Sequence, residues 1–331
     1  MKKFVNDPAA FVPEFMKGIA MANPDLLEFT PEFQMIVRKG GVDKSKVSVV
    51  QGSGSGLEPA HVMAVGPGML PGACQGAVFA APAVDSCYET IKACNSDAGV
   101  LVLVNNYQGD RMAGDMATEM AQAEGINVRQ FWINDDVAVE DSLYTVGRRG
   151  VAGNFFVIKC CGAAAEAGQS LDEVYAIADK VNKNVRTMGV ALTSCIPPAK
   201  GTPIFDIGDD EMEVGVGIHG EPGRRREKIK PADAITEELF EAVAKDVPFN
   251  SGDRVAIMVN GLGGTPITEL YVIYAKAHEL AEKAGFKVVR NYVGEYCTSL
   301  EMAGASLTIL RLDSELEALL DAPAETAYRI V

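Results

Sequence analysis

The stretch GVLVLVNNYQGDRMAGDMATEMAQAEG (99–125) decides the fold class. Its first part, GVLVLVNN (99–106), is apolar on both faces, which is typical of a strand buried in a parallel sheet. The rest of the stretch passes through a glycine into a helix-like segment. KVSVV (46–50) also runs into a glycine-rich segment that resembles the start of a helix. Because strand and helix alternate, the sequence predicts an α/β architecture.

Two helices and several strands extend this pattern along the chain. SLDEVYAIADKVNKNV (170–185) predicts a helix that begins with a capping box from Ser170 to Glu173. TPITELYVIYAKAHELAEKAG (265–285) predicts an amphipathic helix with Thr265 as its cap. Short apolar runs predict further strands at 128–135, 155–162, 188–194, 211–218, 254–260, 286–294 and 306–313.

The pattern changes after about residue 185, and we place a domain boundary there. We expect two α/β domains, each with a largely parallel or mixed sheet covered by helices. Residues 1–185 form the predicted N-terminal domain, which contains the glycine loop and Asp110. Residues 186–331 form the predicted C-terminal domain, which contains His219.

The composition of the chain argues against several classes of partner and site. The 331-residue chain has a net charge of −15, so nucleic acid and anionic membranes are poor partners. Its seven cysteines are irregularly spaced without a Cys-x-x-Cys pair, and with only three histidines we expect no metal site. An odd number of cysteines indicates thiols in a reducing compartment. The N-terminus lacks the pattern of a signal peptide and no apolar run is long enough to span a membrane, so we expect a cytoplasmic protein.

A glycine-rich loop, QGSGSGLEPA (51–60), follows the first predicted buried strand. Glycines allow the backbone to approach a ligand closely and to point N–H groups at it. The loop lacks the Gly-Lys-Ser/Thr ending of a Walker motif and the spacing of a dinucleotide fingerprint, which argues against a nicotinamide oxidoreductase. From its pattern alone, the loop is either a binding loop for a small ligand or a structural turn.

Asp110 lies in VNNYQGD (104–110), just after the predicted strand at 99–106. Open parallel sheets bind their ligands at this end of the strands. Asp110 could accept a proton from a ligand hydroxyl. Spacing alone favours the other interpretation, in which Asp110 caps the helix that follows.

His219 is enclosed by glycines in GVGIHGEPG (215–223). Histidine can serve as a base, a ligand or a nucleophile, and its neutral ring nitrogen can add to a carbonyl group. The alternative is an ordinary surface histidine. We expect His61 and His278 to be packed or surface residues. A second glycine-rich turn, VNGLGGTPITE (259–269), predicts either a phosphate site or a contact with a domain or subunit.

Taken together, these stretches resemble the substrate-binding subunit of dihydroxyacetone kinase, the DhaK family. The likeness runs over nearly the whole chain. It is carried by GSGSGLEPAH, GPGMLPGACQGAVFAAP, NNYQGD, DDVAVEDSLYTVGRRGVAG, GAAAEAGQSLDEV, DEMEVGVGIHGEPG, SGDRVAIMVNGLGGTPITELY and GEYCTSLEMAGASLTIL.

The resemblance implies two α/β domains, a homodimer and a specific chemistry. It implies that His219 forms a covalent hemiaminal with dihydroxyacetone or a related short ketose. It further implies that Gly54, Ser55, Gly56 and Asp110 hold the substrate hydroxyls. No cofactor is then expected on this chain, because a separate helical subunit brings ADP or ATP with magnesium. In the bacterial version a third subunit, charged by the phosphoenolpyruvate phosphotransferase system, regenerates the nucleotide, and a 331-residue chain fits the arrangement with separate subunits.

Three positions depart from the family pattern. Leu57 stands where the family has a histidine that works with the aspartate in proton transfer. Asn105 replaces a lysine, and Ala81 replaces a serine. We count Leu57 and Asn105 with the predicted substrate site. Two hypotheses follow: a kinase subunit that presents the ketose for phosphorylation, or a catalytically silent paralogue that senses the ketose and co-activates a transcription factor.

Overall fold

A computed structural model describes residues 2–139, 147–221, 223–247 and 249–328. The described residues form two compact units. The N-terminal unit comprises Lys2–Ile133, Phe156–Lys180 and residues 318–328. The C-terminal unit comprises residues 134–139 and 147–155 together with Val181–Glu317. Part of the stretch DDVAVEDSLYTVGRRGVAG (135–153), which contributes to the family resemblance, lies outside the described residues.

The N-terminal unit contains a six-stranded mixed sheet in the order β1-β2-β4-β3-β5-β6. Strand β3 pairs in parallel with β4 and β5, and β5 pairs in parallel with β6, whereas β2 runs antiparallel to both of its neighbours. Helices α2 and α3 connect successive parallel strands. Its strands are β1 (Leu27–Thr30), β2 (Met35–Arg38), β3 (Ser48–Ser55), β4 (Gly72–Val78), β5 (Val100–Asn105) and β6 (Val128–Ile133), and its helices include α1 (Phe11–Ala22), α2 (Val84–Ala93) and α3 (Gln108–Ala123).

The C-terminal unit contains a second six-stranded sheet in the order β11-β10-β12-β7-β8-β9. Only the β10–β11 pair among these described strands is parallel. Helices α6 and α7 pack on this sheet around an apolar core. The elements are β7 (Val185–Ala191), β8 (Glu211–Val214), β9 (Arg225–Lys228), α6 (Ala232–Asp246), β10 (Arg254–Gly261), α7 (Ile267–Lys283), β11 (Lys287–Gly294) and β12 (Gly304–Leu312).

Three further helices contain points where the chain passes from one unit to the other. They are α4 (Asn154–Glu166), α5 (Leu171–Asn184) and α8 (Ser314–Asp321). The boundary predicted near residue 185 lies close to the passage within α5, and the passages after residues 133, 155 and 317 are additional to it. No helix among the described residues is long and apolar enough to cross a membrane.

The two helix-covered mixed sheets confirm the predicted α/β class, and the capping box at Ser170 is also confirmed. Ser170 N–H and Oγ donate to the Glu173 carboxylate at 2.8 and 2.7 Å. The prediction of a strand at 155–162 is wrong, because these residues form the buried part of α4. Thr265 does not cap α7; its hydroxyl bonds instead to the backbone of Gly304.

Candidate functional site

The glycine loop of the N-terminal unit begins inside β3, since that strand continues to Ser55. Close packing explains one of its glycines: a Cβ on Gly54 would lie 3.0 Å from the backbone N and O of Ala80. Gly56 turns the chain with a φ of 94°, a conformation that favours glycine. The hydroxyl groups of Ser53 and Ser55 are therefore buried at the carboxyl end of this strand.

Asp110 is buried and is linked to this loop. It is the third residue of α3, whose N-cap position is Tyr107, so the capping interpretation of Asp110 is wrong. Its Oδ2 accepts a hydrogen bond of 2.9 Å from the Ser53 hydroxyl. Ala81 lies beside the same turn, because a Cβ on Gly109 would be 3.1 Å from the Ala81 Cβ. The carboxylate thus lies at the carboxyl end of the sheet, where the sequence predicted a ligand site.

Two of the three departures from the family pattern are completely buried. Leu57 has no exposed surface and supplies only carbon atoms to its surroundings. Asn105 ends β5, and its Nδ2 lies 3.3 Å from Nε2 of His61, while the Gln51 Nε2 donates to its Oδ1 at 3.5 Å. His61 is therefore a buried member of a polar cluster, as the packed alternative predicted.

Sequence reasoning missed two glutamines in this cluster. Gln51 and Gln75 are buried, and the side-chain oxygen of each has no hydrogen-bond partner, as is also true of the Ser55 hydroxyl. Buried polar atoms without partners are rare in proteins, and bound ligands or water commonly satisfy them. The available signal was the presence of Gln, Ser and Gly within otherwise apolar strands, in VVQGSGS and ACQGAV.

His219 lies in the C-terminal unit, in a turn built from glycines. Its side chain is 12% exposed, so the ring is largely enclosed but still reachable. Its Nδ1 lies 3.3 Å from Oε1 of Glu221, and its backbone N–H donates to Oε2 of the same carboxylate at 3.1 Å. The turn is closed by Gly217 N–H donating to the Glu221 carbonyl and by Gly220 N–H donating to the Gly217 carbonyl, both at 3.1 Å.

A buried ion pair supports this turn from within the same unit. The guanidinium of Arg149 bonds to Oδ2 of Asp136 at 2.7 Å through Nε and to the Gly215 carbonyl at 2.9 Å through Nη2. Burial raises the pKa of Glu221, but the His219 hydrogen bond and the positive charge of Arg149 more than offset this and hold its pKa below the usual value. Glu221 therefore carries its negative charge at neutral pH.

The remaining predicted features fall outside these two clusters. His278 lies on α7 and is partly exposed. The second glycine-rich turn packs on its own unit: a Cβ on Gly263 would lie 1.7 Å from the Leu300 carbonyl oxygen. Within the described residues, no group of three or more His, Cys, Asp or Glu side chains could hold a metal ion.

Comparison with known proteins places the chain in a family, since residues 17–328 match the Dak1 domain model. The chain belongs to the Dak1 domain family, which confirms the resemblance seen in the sequence. It is 48% identical over 317 residues to the dihydroxyacetone-binding subunit DhaK of the PTS-dependent dihydroxyacetone kinase 1 of Listeria innocua, covering 95% of each chain. It is 40% identical to the corresponding DhaK subunit of the PEP-dependent kinase of Escherichia coli, covering 98% of each chain.

Solved structures agree with this assignment. The dihydroxyacetone kinase operon co-activator Dha-DhaQ superposes with a TM-score of 0.89 at 34% identity, covering 94% of this chain and 96% of the co-activator. The dihydroxyacetone kinase of C. freundii, in complex with AMP-PNP and Mg²⁺, superposes with the same TM-score of 0.89 at 32% identity. That match covers 99% of this chain and 60% of the C. freundii chain.

Proposed function

We propose that this chain binds dihydroxyacetone or a related short ketose and presents it for phosphorylation, as the substrate-binding subunit of a kinase that depends on the phosphotransferase system. One observation carries the proposal: the similarity to dihydroxyacetone-binding subunits covers 95% or more of both chains. The matched family region includes the glycine loop, Asp110 and His219. The enclosed but reachable ring of His219 supports the same function.

In this proposal the ketose is held by a covalent bond to His219. The lone pair of a neutral ring nitrogen attacks the carbonyl carbon, a nitrogen–carbon bond forms, and the carbonyl π pair moves to oxygen, which takes up a proton. The product is a hemiaminal, and no water is lost. A covalent tether orients the substrate, and phosphoryl transfer depends mainly on positioning and electrostatics.

Asp110 is the proposed acceptor for the proton of the hydroxyl that becomes phosphorylated. Gly54, Ser55 and Gly56 are the proposed partners of the other substrate hydroxyls, and Leu57 and Asn105 are also assigned to the proposed substrate site. The buried oxygens of Gln51, Gln75 and Ser55 without partners support a polar ligand at this loop. The nucleotide, ADP or ATP with magnesium, belongs in this proposal to a separate helical subunit.

We further propose a homodimer in the cytoplasm. All seven cysteines lie in the described part of the chain and are buried thiols, which supports a reducing compartment. The net charge of −15 supports small molecules and proteins, and not nucleic acid, as partners.

Intact-mass spectrometry with dihydroxyacetone tests the covalent step. Wild type should gain the whole mass of the ketone, whereas His219→Ala should gain nothing because the attacking nitrogen is missing. His278→Ala, which removes a partly exposed histidine from α7, is the matched control and should retain the adduct. An adduct that survives in His219→Ala would refute His219 as the nucleophile.

Leu57 supports a second candidate function, that of a silent paralogue acting as a ketose sensor and transcriptional co-activator. The side chain is fully buried and has no group able to accept a proton, where the family resemblance implies a histidine. The structural match to the Dha-DhaQ co-activator supports the same candidate. Covalent binding through His219 is compatible with both functions, so turnover is the property that separates them.

A further inference from the structure

The carboxylate of Glu221 contacts His219 at two places. Oε2 accepts the backbone N–H of His219 at 3.1 Å, and Oε1 lies 3.3 Å from its Nδ1. An ionised carboxylate can only accept hydrogen bonds. The ring nitrogen that faces it must therefore be the one that carries the proton. In a neutral imidazole with the proton on Nδ1, the lone pair lies on Nε2.

The surrounding residues hold the carboxylate in this place. A Cβ on Gly217 would lie 2.1 Å from Oε2 of Glu221 and 2.6 Å from Nη1 of Arg149, so only glycine leaves room for both groups. Arg149 is fixed in turn by Asp136 and by the Gly215 carbonyl. Its positive charge favours the ionised form of Glu221. The geometry of the turn thus supplies a fixed negative charge beside Nδ1.

We propose that Glu221 is a positioning residue that holds His219 in the tautomer protonated at Nδ1, so that Nε2 attacks the ketose carbonyl. This inference rests on the proposed function of His219. When the nitrogen–carbon bond forms at Nε2, the ring becomes positively charged while it keeps the Nδ1 proton. The Glu221 carboxylate stabilises that charge through the hydrogen bond already present, and the substrate oxygen takes its proton from solvent.

Glu221→Gln tests the role because glutamine has one acceptor oxygen where glutamate has two. If that oxygen accepts the His219 backbone N–H, the amide NH₂ faces Nδ1 and favours the tautomer protonated at Nε2. Nitrogen NMR of protein labelled at its three histidines reports the tautomer directly, without any ketose. We expect wild type to be protonated at Nδ1 and Glu221→Gln to shift toward Nε2. The rate of adduct formation should fall at least about tenfold, since the wrong tautomer is costly in other histidine-dependent enzymes.

Glu211→Gln is the matched control. Glu211 lies in the same unit, and its carboxylate accepts the backbone N–H of Gly208 at 2.8 Å, so the same substitution removes a similar contact away from His219. It should leave both the tautomer and the adduct rate unchanged. Glu221→Asp retains two acceptor oxygens and should preserve more of the Nδ1 tautomer and of the rate than Glu221→Gln, which provides a test if the glutamine variant does not fold.

The outcomes separate this inference from the function on which it rests. A wild-type tautomer protonated at Nε2, or a Glu221→Gln variant that keeps both the wild-type tautomer and rate, would overturn the role of Glu221 while leaving His219 as the nucleophile. Absence of an adduct in wild type would overturn the proposed function. The tautomer measured without ketose would even then decide whether Glu221 orients the ring.

Discussion

Glu58 lies in the glycine loop, is partly buried, and accepts the backbone N–H of Gly56 with both carboxylate oxygens at 3.2 and 3.1 Å. Burial is the largest influence and raises its pKa from 4.5 to about 7, despite hydrogen bonds that act in the other direction. The folded protein therefore holds this proton over a pH range in which the unfolded chain has lost it. The stability that this proton contributes is complete below pH 4.5 and is lost as the pH rises to about 7.

Glu58→Gln should remove this pH dependence, because glutamine resembles the neutral acid in shape. Relative to wild type, the variant should gain about 3 kcal/mol in the free energy of unfolding between pH 4.5 and about 7. Urea unfolding across this range measures the difference. Glu119→Gln, at an exposed site on α3, is the control and should follow wild type at every pH. A difference between Glu58→Gln and wild type that does not vary with pH would contradict a proton held by Glu58.

Individual residues show which parts of the candidate site could be predicted from the sequence and which could not. The sequence alone left Asp110 open between a helix cap and a functional carboxylate, since both occur where a strand leads into a helix. The choice depends on Ser53, which is 57 positions away along the chain and reaches Asp110 only because β3 and β5 pair. Gln51 and Gln75 were missed for the same reason: their burial depends on the pairing of strands.

Among the elements, α4 differs most from its prediction. Its run FFVIKCCG (155–162) is apolar on every side, so its periodicity cannot distinguish a buried strand from a buried helix. Lys159 is the one charged residue in this apolar run. Its Nζ donates to the carbonyls of Leu319 and Ala322 at 2.8 and 2.7 Å. The lysine thus satisfies carbonyls at the end of α8, a partner that no local pattern indicates.

Gly162 explains how α4 packs so closely. A Cβ at this position would lie 2.5 Å from the Cα of Met69, which is backbone and cannot move aside cheaply. Gly162→Ala should therefore lower the free energy of unfolding by about 1–3 kcal/mol, the usual cost of overpacking. Gly18→Ala is the matched control, because Gly18 lies within helix α1 and, apart from its chain neighbours and its own helix backbone, no atom lies within 4 Å of the new Cβ.

The two substitutions should change the free energy of unfolding in opposite directions. Alanine favours helix over glycine by about 1 kcal/mol, so Gly18→Ala should stabilise the protein slightly. Denaturant unfolding of both variants beside wild type measures the contrast. Equal stabilisation by both substitutions would mean that α4 does not approach the backbone near Met69 as closely as described.

For the whole molecule, the family and the α/β class were predictable because ordered motifs extend over nearly the full chain. The passages of the chain between the two units were not predictable in this way. They depend on contacts distant in sequence, such as the hydrogen bond of 2.7 Å from Asn182 Nδ2 to Asn134 Oδ1 within the C-terminal unit. The change of pattern near residue 185 predicted a single boundary, whereas residues 318–328 join the N-terminal unit without any change of pattern.

The effect of Leu57 on catalysis can be tested by measuring how fast the assembled kinase system phosphorylates dihydroxyacetone. General acid–base help typically contributes about 10²–10⁴ in rate, so a chain without the histidine should turn over slowly or not at all. A coupled assay would combine the chain with a nucleotide-carrying kinase subunit, the phosphotransfer subunit and dihydroxyacetone. Leu57→His should raise turnover by about 10²-fold or more if the rest of the site is competent. Leu57→Met is the control, because it changes packing without adding a proton acceptor.

The pattern of turnover separates the two proposed functions when folding is verified by circular dichroism. Robust turnover by wild type would remove the sensor function, since Asp110 alone would then suffice for proton transfer. A His219 adduct without turnover in wild type, followed by turnover in Leu57→His, would favour a sensor derived from a kinase subunit. Because Leu57 is completely buried, histidine there loses apolar burial, and a stability cost of about 2 kcal/mol is expected even if catalysis appears.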